Sequence, residues 1–284
     1  MVKAKELQVK AKALEEEYGI NYYELLQRFM FERILERISI SDYQDNFILK
    51  GGLLLMSMFG VNNRTTKDMD TTIKGIDVSK EKMIVILNEI LSINLHDGVK
   101  FDIVDITDIR EDDEYDGNKY HIVGKIENLK INLEIDISTG DKVTPKELKY
   151  KYPCLFAEKE ILISSYNYET MLSEKIETIL RRGKFNSRMK DYYDVYMFLT
   201  KLKDKINVKV LKEAMDNTFN RRDSFCYLND YNIIIDSIIG DKRMKGLWIK
   251  YMKKNEYAKD IDFDEILYLL KEYINKLEMD IILV

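Results

Sequence analysis

The chain has 284 residues, 45% hydrophobic and 33% charged, with 2 Pro and 12 Gly, which excludes a disordered, collagenous or low-complexity protein and favours helix. No apolar run reaches the roughly 20 residues that span a bilayer, and the charged start Met1-Val-Lys-Ala-Lys-Glu-Leu has no signal-peptide core, so a cytoplasmic protein is expected, with no membrane partner. The net charge of −5 argues against a generic DNA coat, and two cysteines (Cys154, Cys226) with two histidines (His96, His121) make neither a disulfide framework nor a zinc site, leaving chemistry to carboxylates and cations.

Apolar residues at three- to four-residue steps predict helices over 4–17 and 21–38, the second with Leu25, Phe29, Ile34 and Ile38 inward. Phe47 to Lys50 reads as a short strand, ended by Gly51-Gly52 and followed by a short buried helix over Leu53 to Phe59. A strand over Met69 to Lys74 precedes a helix over Ser79 to Leu95. Three strands follow, at Val99 to Thr107, Lys119 to Glu127 and Lys130 to Ser138, the last two joined by a tight hairpin at Asn128-Leu129. Glu111 to Asp116 reads as a solvated acidic loop. Past Ile161-Leu162-Ile163 the chain turns helical, with segments at Tyr168 to Arg182, Arg188 to Leu202, Val208 to Thr218 and, last, Asp262 to Leu277. The expected class is α+β: a mixed-sheet domain over 1–160 with N-terminal helices, and a helical C-terminal domain over 161–284.

The sharpest local feature is Arg64-Thr-Thr-Lys-Asp68-Met-Asp70. In a strand, positions i and i+2 share a face, so Asp68 and Asp70 project together. At a few ångströms and an effective dielectric near 20 their repulsion is about 4 kcal/mol, tolerable if the pair is solvated or bridged by a divalent cation. Mg²⁺ takes carboxylate and phosphate oxygens together, so such a pair suits a nucleoside triphosphate; a solvated loop or cap is the alternative. In Asn132-Leu-Glu134-Ile-Asp136-Ile, Leu133, Ile135 and Ile137 alternate to one face and the two acids to the other, as in a half-exposed strand or as the source of a third ligand. Asp136 is favoured over Glu134 because it is nearer the strand end. The amides of Gly51-Gly52, between a strand and a helix, could approach phosphate oxygens without a side chain in the way.

Lys50-Gly-Gly-Leu-Leu-Leu through Arg64-Thr-Thr-Lys-Asp-Met-Asp resembles the first motif of the AbiEii/AbiGii-type toxins, a branch of the DNA polymerase beta nucleotidyltransferase superfamily. Glu174-Lys175-Ile176 and Arg188-Met-Lys190-Asp191-Tyr-Tyr-Asp194-Val resemble that family's two C-terminal motifs, so the likeness runs from about residue 45 to 200. Where the wider superfamily carries Ser after the glycine, this chain has Leu53.

The resemblance implies a polymerase beta-like nucleotidyltransferase toxin of a type IV toxin-antitoxin or phage-abortive system. It implies Mg²⁺ (or Mn²⁺) on Asp68, Asp70 and Asp136, and an NTP donor such as GTP. The implied acceptor is an RNA such as a tRNA 3′ end, and the cognate antitoxin is encoded separately with no direct contact required. Catalytic roles fall to Asp68, Asp70, Asp136 and to Asp191 or Asp194. Nucleotide-binding roles fall to Gly51, Gly52, Arg64, Lys175, Arg182, Arg188 and Lys190. A nucleotide-binding interaction protein without chemistry is the alternative, and a metal-dependent nuclease a third.

Two segments are locally basic. Lys175 to Lys190 carries six cations against Glu177, and Asp241 to Lys254 six against Asp241, each a local +5. Such islands in an acidic protein suit a local polyanion site. Trp248 and Tyr251, among Lys245, Lys250, Lys253 and Lys254, read either as an RNA-stacking pair or as core aromatics beneath solvated lysines.

Overall fold

A computed structural model describes residues 2–76, 79–109, 117–140 and 142–282. The chain divides into two compact units, Met1–Asp141 with Glu147–Tyr166, and Lys142–Lys146 with Asn167–Val284. The acidic 111–116 stretch lies outside the described residues.

The first unit is built on a sheet of β1 (Phe47–Lys50), β2 (Asp68–Ile73), β3 (Lys100–Asp108), β4 (Gly117–Ile126), β5 (Leu129–Thr139), β6 (Leu148–Pro153) and β7 (Glu160–Ser165), in the order β3-β4-β5-β2-β1-β7-β6. It is mixed: β2 runs parallel to β5 and β1 to β7, while β1–β2, β3–β4, β4–β5 and β6–β7 are antiparallel. The predicted alternation in β5 is real, with Ile131, Leu133, Ile135 and Ile137 buried and Asn132 and Glu134 exposed. Helices α1 (Ala4–Tyr18), α2 (Tyr22–Ser39), α3 (Gly51–Phe59) and α4 (Lys80–Ser92) complete the unit.

Helix α2 starts where Asn21 accepts from the Tyr23 amide, a normal N-cap, and it is buried on nearly every side. Its inward charges are therefore paired. Glu32 accepts the amides of Leu155 (2.7 Å) and Phe156 (3.3 Å), and Arg37 forms a fork on Asp97 at 3.1 Å through both terminal nitrogens.

Three expectations shift. The β4–β5 turn is Glu127-Asn128, flanked by the Ile126–Leu129 pair, with Glu127 at φ 50°, one residue earlier than Asn128-Leu129. Strand β6 was not foreseen, and β7 carries the sheet unit past residue 160 to Tyr166. The helix over Ser79 to Leu95 ends at Ser92.

The second unit holds α5 (Tyr168–Arg182), α6 (Met189–Thr200), α7 (Val208–Arg221), α8 (Phe225–Asn229), α9 (Tyr231–Ile238), α10 (Lys242–Lys254) and α11 (Phe263–Ile282). Asn167 caps α5 through Thr170 N at 2.8 Å and donates to the Thr144 carbonyl, while Asn217 donates to Thr144 Oγ1 at 2.9 Å. These bonds tie residues 142–146 to the helices. Trp248 is core: it is 2% exposed, donates to the Ile261 carbonyl at 2.9 Å, and packs on Tyr251 and Phe263. Its reading as an RNA-stacking side chain is thereby withdrawn.

Candidate metal and nucleotide site

The geometry of the acidic strands follows from register. Asp70 lies opposite Lys50 on β1 and opposite Asp136 on β5, while Asp68 lies opposite Glu134. Because β2 is central, Met69 and Thr71 anchor its other face in the core, so Asp68 and Asp70 are turned toward the same side as Asp136. Carboxylate oxygens of Asp68, Asp70 and Asp136 lie within 4.8 Å of one another.

Two further contacts fix the acids. The Gly52 amide donates to Asp70 Oδ2 at 3.1 Å, at the start of α3, where the helix dipole favours a negative charge. Thr66 Oγ1 donates to Asp68 Oδ1 at 2.5 Å. The glycines at this turn have a steric reason: Gly51 sits at φ +64°, and a Cβ there would overlap the Asp70 carboxylate, while a Cβ on Gly52 would overlap the Thr66 side chain. The Gly-Gly turn thus seats two of the acids, and the Gly52 amide is engaged with a carboxylate.

Lys119 on β4, opposite Asp136, approaches Asp136 Oδ1 at 3.1 Å and Glu134 Oε2 at 2.9 Å. Burial disfavours its charge, yet Glu134 and Asp136 together outweigh that and hold the ammonium above its usual pKa. The pKa of the Asp136 carboxyl is also raised, which for an acid favours the neutral form. Burial first, and the Asp70 charge second, push its pKa up to about 6 against the pull of Lys119. A cluster of hard oxygens in which one acid resists ionisation is a setting that a divalent cation would relieve, so the donor set suits Mg²⁺ or Mn²⁺. Neither Thr66 nor Lys119 was singled out from sequence. The Thr66-x-Asp68 spacing was a readable signal for the first; the second needed the hairpin register.

Arg64 is buried, and one of its guanidinium nitrogens donates to the carbonyl of its neighbour Thr65. In the helical unit, Lys175 on α5 reaches Asp191 Oδ1 at 2.6 Å and Asp194 Oδ2 at 3.3 Å on α6, and Arg188 Nε lies 3.2 Å from Asp191 Oδ2. Both carboxylates are buried. Burial opposes each charge, but Asp191 and Asp194 outweigh it for Lys175 and raise its pKa, while Lys175 and Arg188 outweigh it for Asp191 and lower its pKa. Arg182 lies at the end of α5 and Lys190, exposed, in the first turn of α6. Among the described residues no helix is long and apolar enough to cross a membrane.

Comparison with known proteins gives the family and the fold. Residues 33–268 match the sequence profile of the family described as nucleotidyl transferase AbiEii toxin, type IV TA system. No curated relative matches the chain in sequence. Two crystal structures from Helicobacter pylori share the fold. One, of a protein assigned as a nucleotidyltransferase, has TM-score 0.51 and 13% identity over 92% of this chain and 97% of that one; the other, of JHP933, has TM-score 0.54 and 12% identity over 92% and 94%. With the acidic cluster assembled on a sheet of this topology and the profile spanning most of its length, the chain belongs to the AbiEii family of type IV toxin–antitoxin nucleotidyltransferases.

Proposed function

We propose that the chain transfers a nucleotide from a nucleoside triphosphate, GTP foremost, to the 3′ end of an RNA such as tRNA, with Mg²⁺ or Mn²⁺ held by Asp68, Asp70 and Asp136. The observation that carries this reading is the convergence of those carboxylates within 4.8 Å. A bound divalent cation supplies charge neutralisation for the triphosphate and lowers the pKa of the acceptor hydroxyl. Asp136, the third acid, takes the proton of the attacking hydroxyl as the oxygen–phosphorus bond forms and pyrophosphate leaves. Asp68 and Asp70, fixed by Thr66 and Gly52, hold their oxygens in place without reorganisation.

Within this reading Gly51, Gly52 and Arg64 shape the turn beside the nucleotide, and Lys175, Arg182, Arg188 and Lys190 supply phosphate-binding charge. Asp191 and Asp194 act as positioning residues for Lys175, which both contact. A separately encoded antitoxin accompanies a toxin of this family, and the mechanism requires no contact with it. The test is incubation with each labelled NTP, Mg²⁺ and total RNA. Wild type should leave label covalently on RNA, and Asp70→Asn of unchanged circular dichroism should leave none. Label retained by that folded variant overturns the assignment, as does RNA shortened without NTP, the signature of a nuclease. Nucleotide bound with no transfer to any acceptor would mark a non-catalytic binding protein.

A further inference from the structure

The two basic segments, more than fifty residues apart in sequence, meet in the helical unit. A 3₁₀ turn, Gly183–Phe185, links α5 to α6 and packs against α9, and Arg243 at the start of α10 donates to the Lys184 carbonyl at 2.6 Å. Residues 178–190 contain Arg181, Arg182, Lys184, Arg188 and Lys190 and no carboxylate; residues 242–254 contain six cations and no carboxylate. Arg181 is occupied by Glu177 at 2.8 Å, whereas Lys184, Lys190, Lys242 and Arg243 are exposed.

At the end of that turn stands Phe185, 87% exposed, the most exposed large apolar side chain among the described residues. Its ring contributes little to the core. Single exposed apolar residues are ordinary on protein surfaces. A bare ring on the turn where two cation-rich segments meet is a different arrangement, because it puts a stacking face on the same stretch of chain as phosphate-binding charge.

We propose that Phe185, with Lys184, Lys190, Lys242 and Arg243, forms a binding surface for single-stranded RNA, the ring stacking on an unpaired base and the cations contacting the flanking phosphates. This deepens the reading of an RNA acceptor and rests on it for its biological role, although the binding itself needs no chemistry. The ring separates this ligand from a bare polyanion: inorganic polyphosphate would use the cations and leave Phe185 without a part.

The test is fluorescence anisotropy of a labelled single-stranded RNA 12-mer with the full chain. Phe185→Ala should weaken binding about tenfold, in line with one lost base stack, and Phe185→Trp should bind as wild type with quenched indole emission on adding RNA. Long-chain polyphosphate should bind wild type and Phe185→Ala equally. Equal RNA affinity of wild type and Phe185→Ala, or an equal loss toward polyphosphate, overturns the proposal. Asp70→Asn should bind the RNA normally, so loss of transfer with intact RNA binding would count against the catalytic reading alone, and intact transfer with an unaffected Phe185→Ala would count against this surface alone.

Discussion

Burial first, and the repulsion of carboxylates gathered within 4.8 Å of one another second, push the Asp136 pKa up to about 6. Its unfolded value is about 3.9, so the folded protein holds the extra proton between those limits. The stability this contributes is complete below about pH 4 and is lost as the pH rises through 6. In EDTA, Asp136→Asn should therefore melt above wild type at pH 8, with the gap closing below pH 5 in thermal scans. A cation must displace that proton, so Mg²⁺ affinity measured by calorimetry should fall about tenfold per pH unit below 6. The glycines give a paired prediction. Gly51 and Gly19 both have positive φ, at +64° and +67°, but only Gly51 faces a neighbour, the Asp70 carboxylate. Ala at either costs about 1–2 kcal/mol of backbone strain; Gly51→Ala should also cut transfer at least tenfold, while Gly19→Ala leaves it unchanged. The need for Gly at 51 was legible as a turn, but its cause, a carboxylate closing over the α-carbon, depends on the β1–β2 register and was not.

At the scale of elements, legibility followed periodicity. The alternation in β5 and the i+2 spacing in β2 put the acids on the correct faces because side chains alternate strictly in a strand. Which cation answers Asp136 depended on one turn. A hairpin at Asn128-Leu129 would place His121 opposite Asp136, whereas the observed Glu127-Asn128 turn places Lys119 there and His121 opposite Glu134. Strand β6 was hidden because its Lys-Tyr-Lys-Tyr-Pro run is an edge, with only Tyr152 buried, where lysine and proline are tolerated and the hydrophobic signal is weak. The α5–α6 pair was legible in outline as two helical segments, but the burial of Asp191 and Asp194 was not. Burial of both acids makes Lys175 a structural counter-ion as well as a phosphate ligand candidate. Lys175→Met should cost about 3–5 kcal/mol in urea unfolding by stranding buried charge, against under about 0.5 for Lys184→Met at the surface. The paired contribution of Lys175 and Asp191 is lost only as acid protonates Asp191 below its lowered pKa or as alkali deprotonates Lys175 above its raised one, so the Lys175→Met deficit should not change between pH 6 and 9. Loss of transfer in Lys175 variants must accordingly be measured at temperatures where they remain folded.

For the molecule as a whole, a net charge of −5 hides segregation: acids gather on the sheet face of the first unit, and the two +5 segments converge in the second. The segments were visible in the sequence, but their meeting was not, because it rests on the packing of the 3₁₀ turn and on one hydrogen bond from Arg243. Segregated charge predicts that salt will act on one substrate more than the other. Single-strand phosphate contacts lose affinity with a slope of about −0.7 per contact in log–log salt. Four contacts, from Lys184, Lys190, Lys242 and Arg243, give a slope near −2.8, so raising salt from about 50 to 200 mM should raise the KM for RNA roughly 50-fold. The kcat at saturating RNA should stay nearly constant, because carboxylates already seated by Gly52 and Thr66 need no long-range steering. Lys184→Ala should lower the slope by about 0.7 and leave kcat unchanged in the same steady-state assay; a slope that does not respond would mean the phosphates are held elsewhere on the chain.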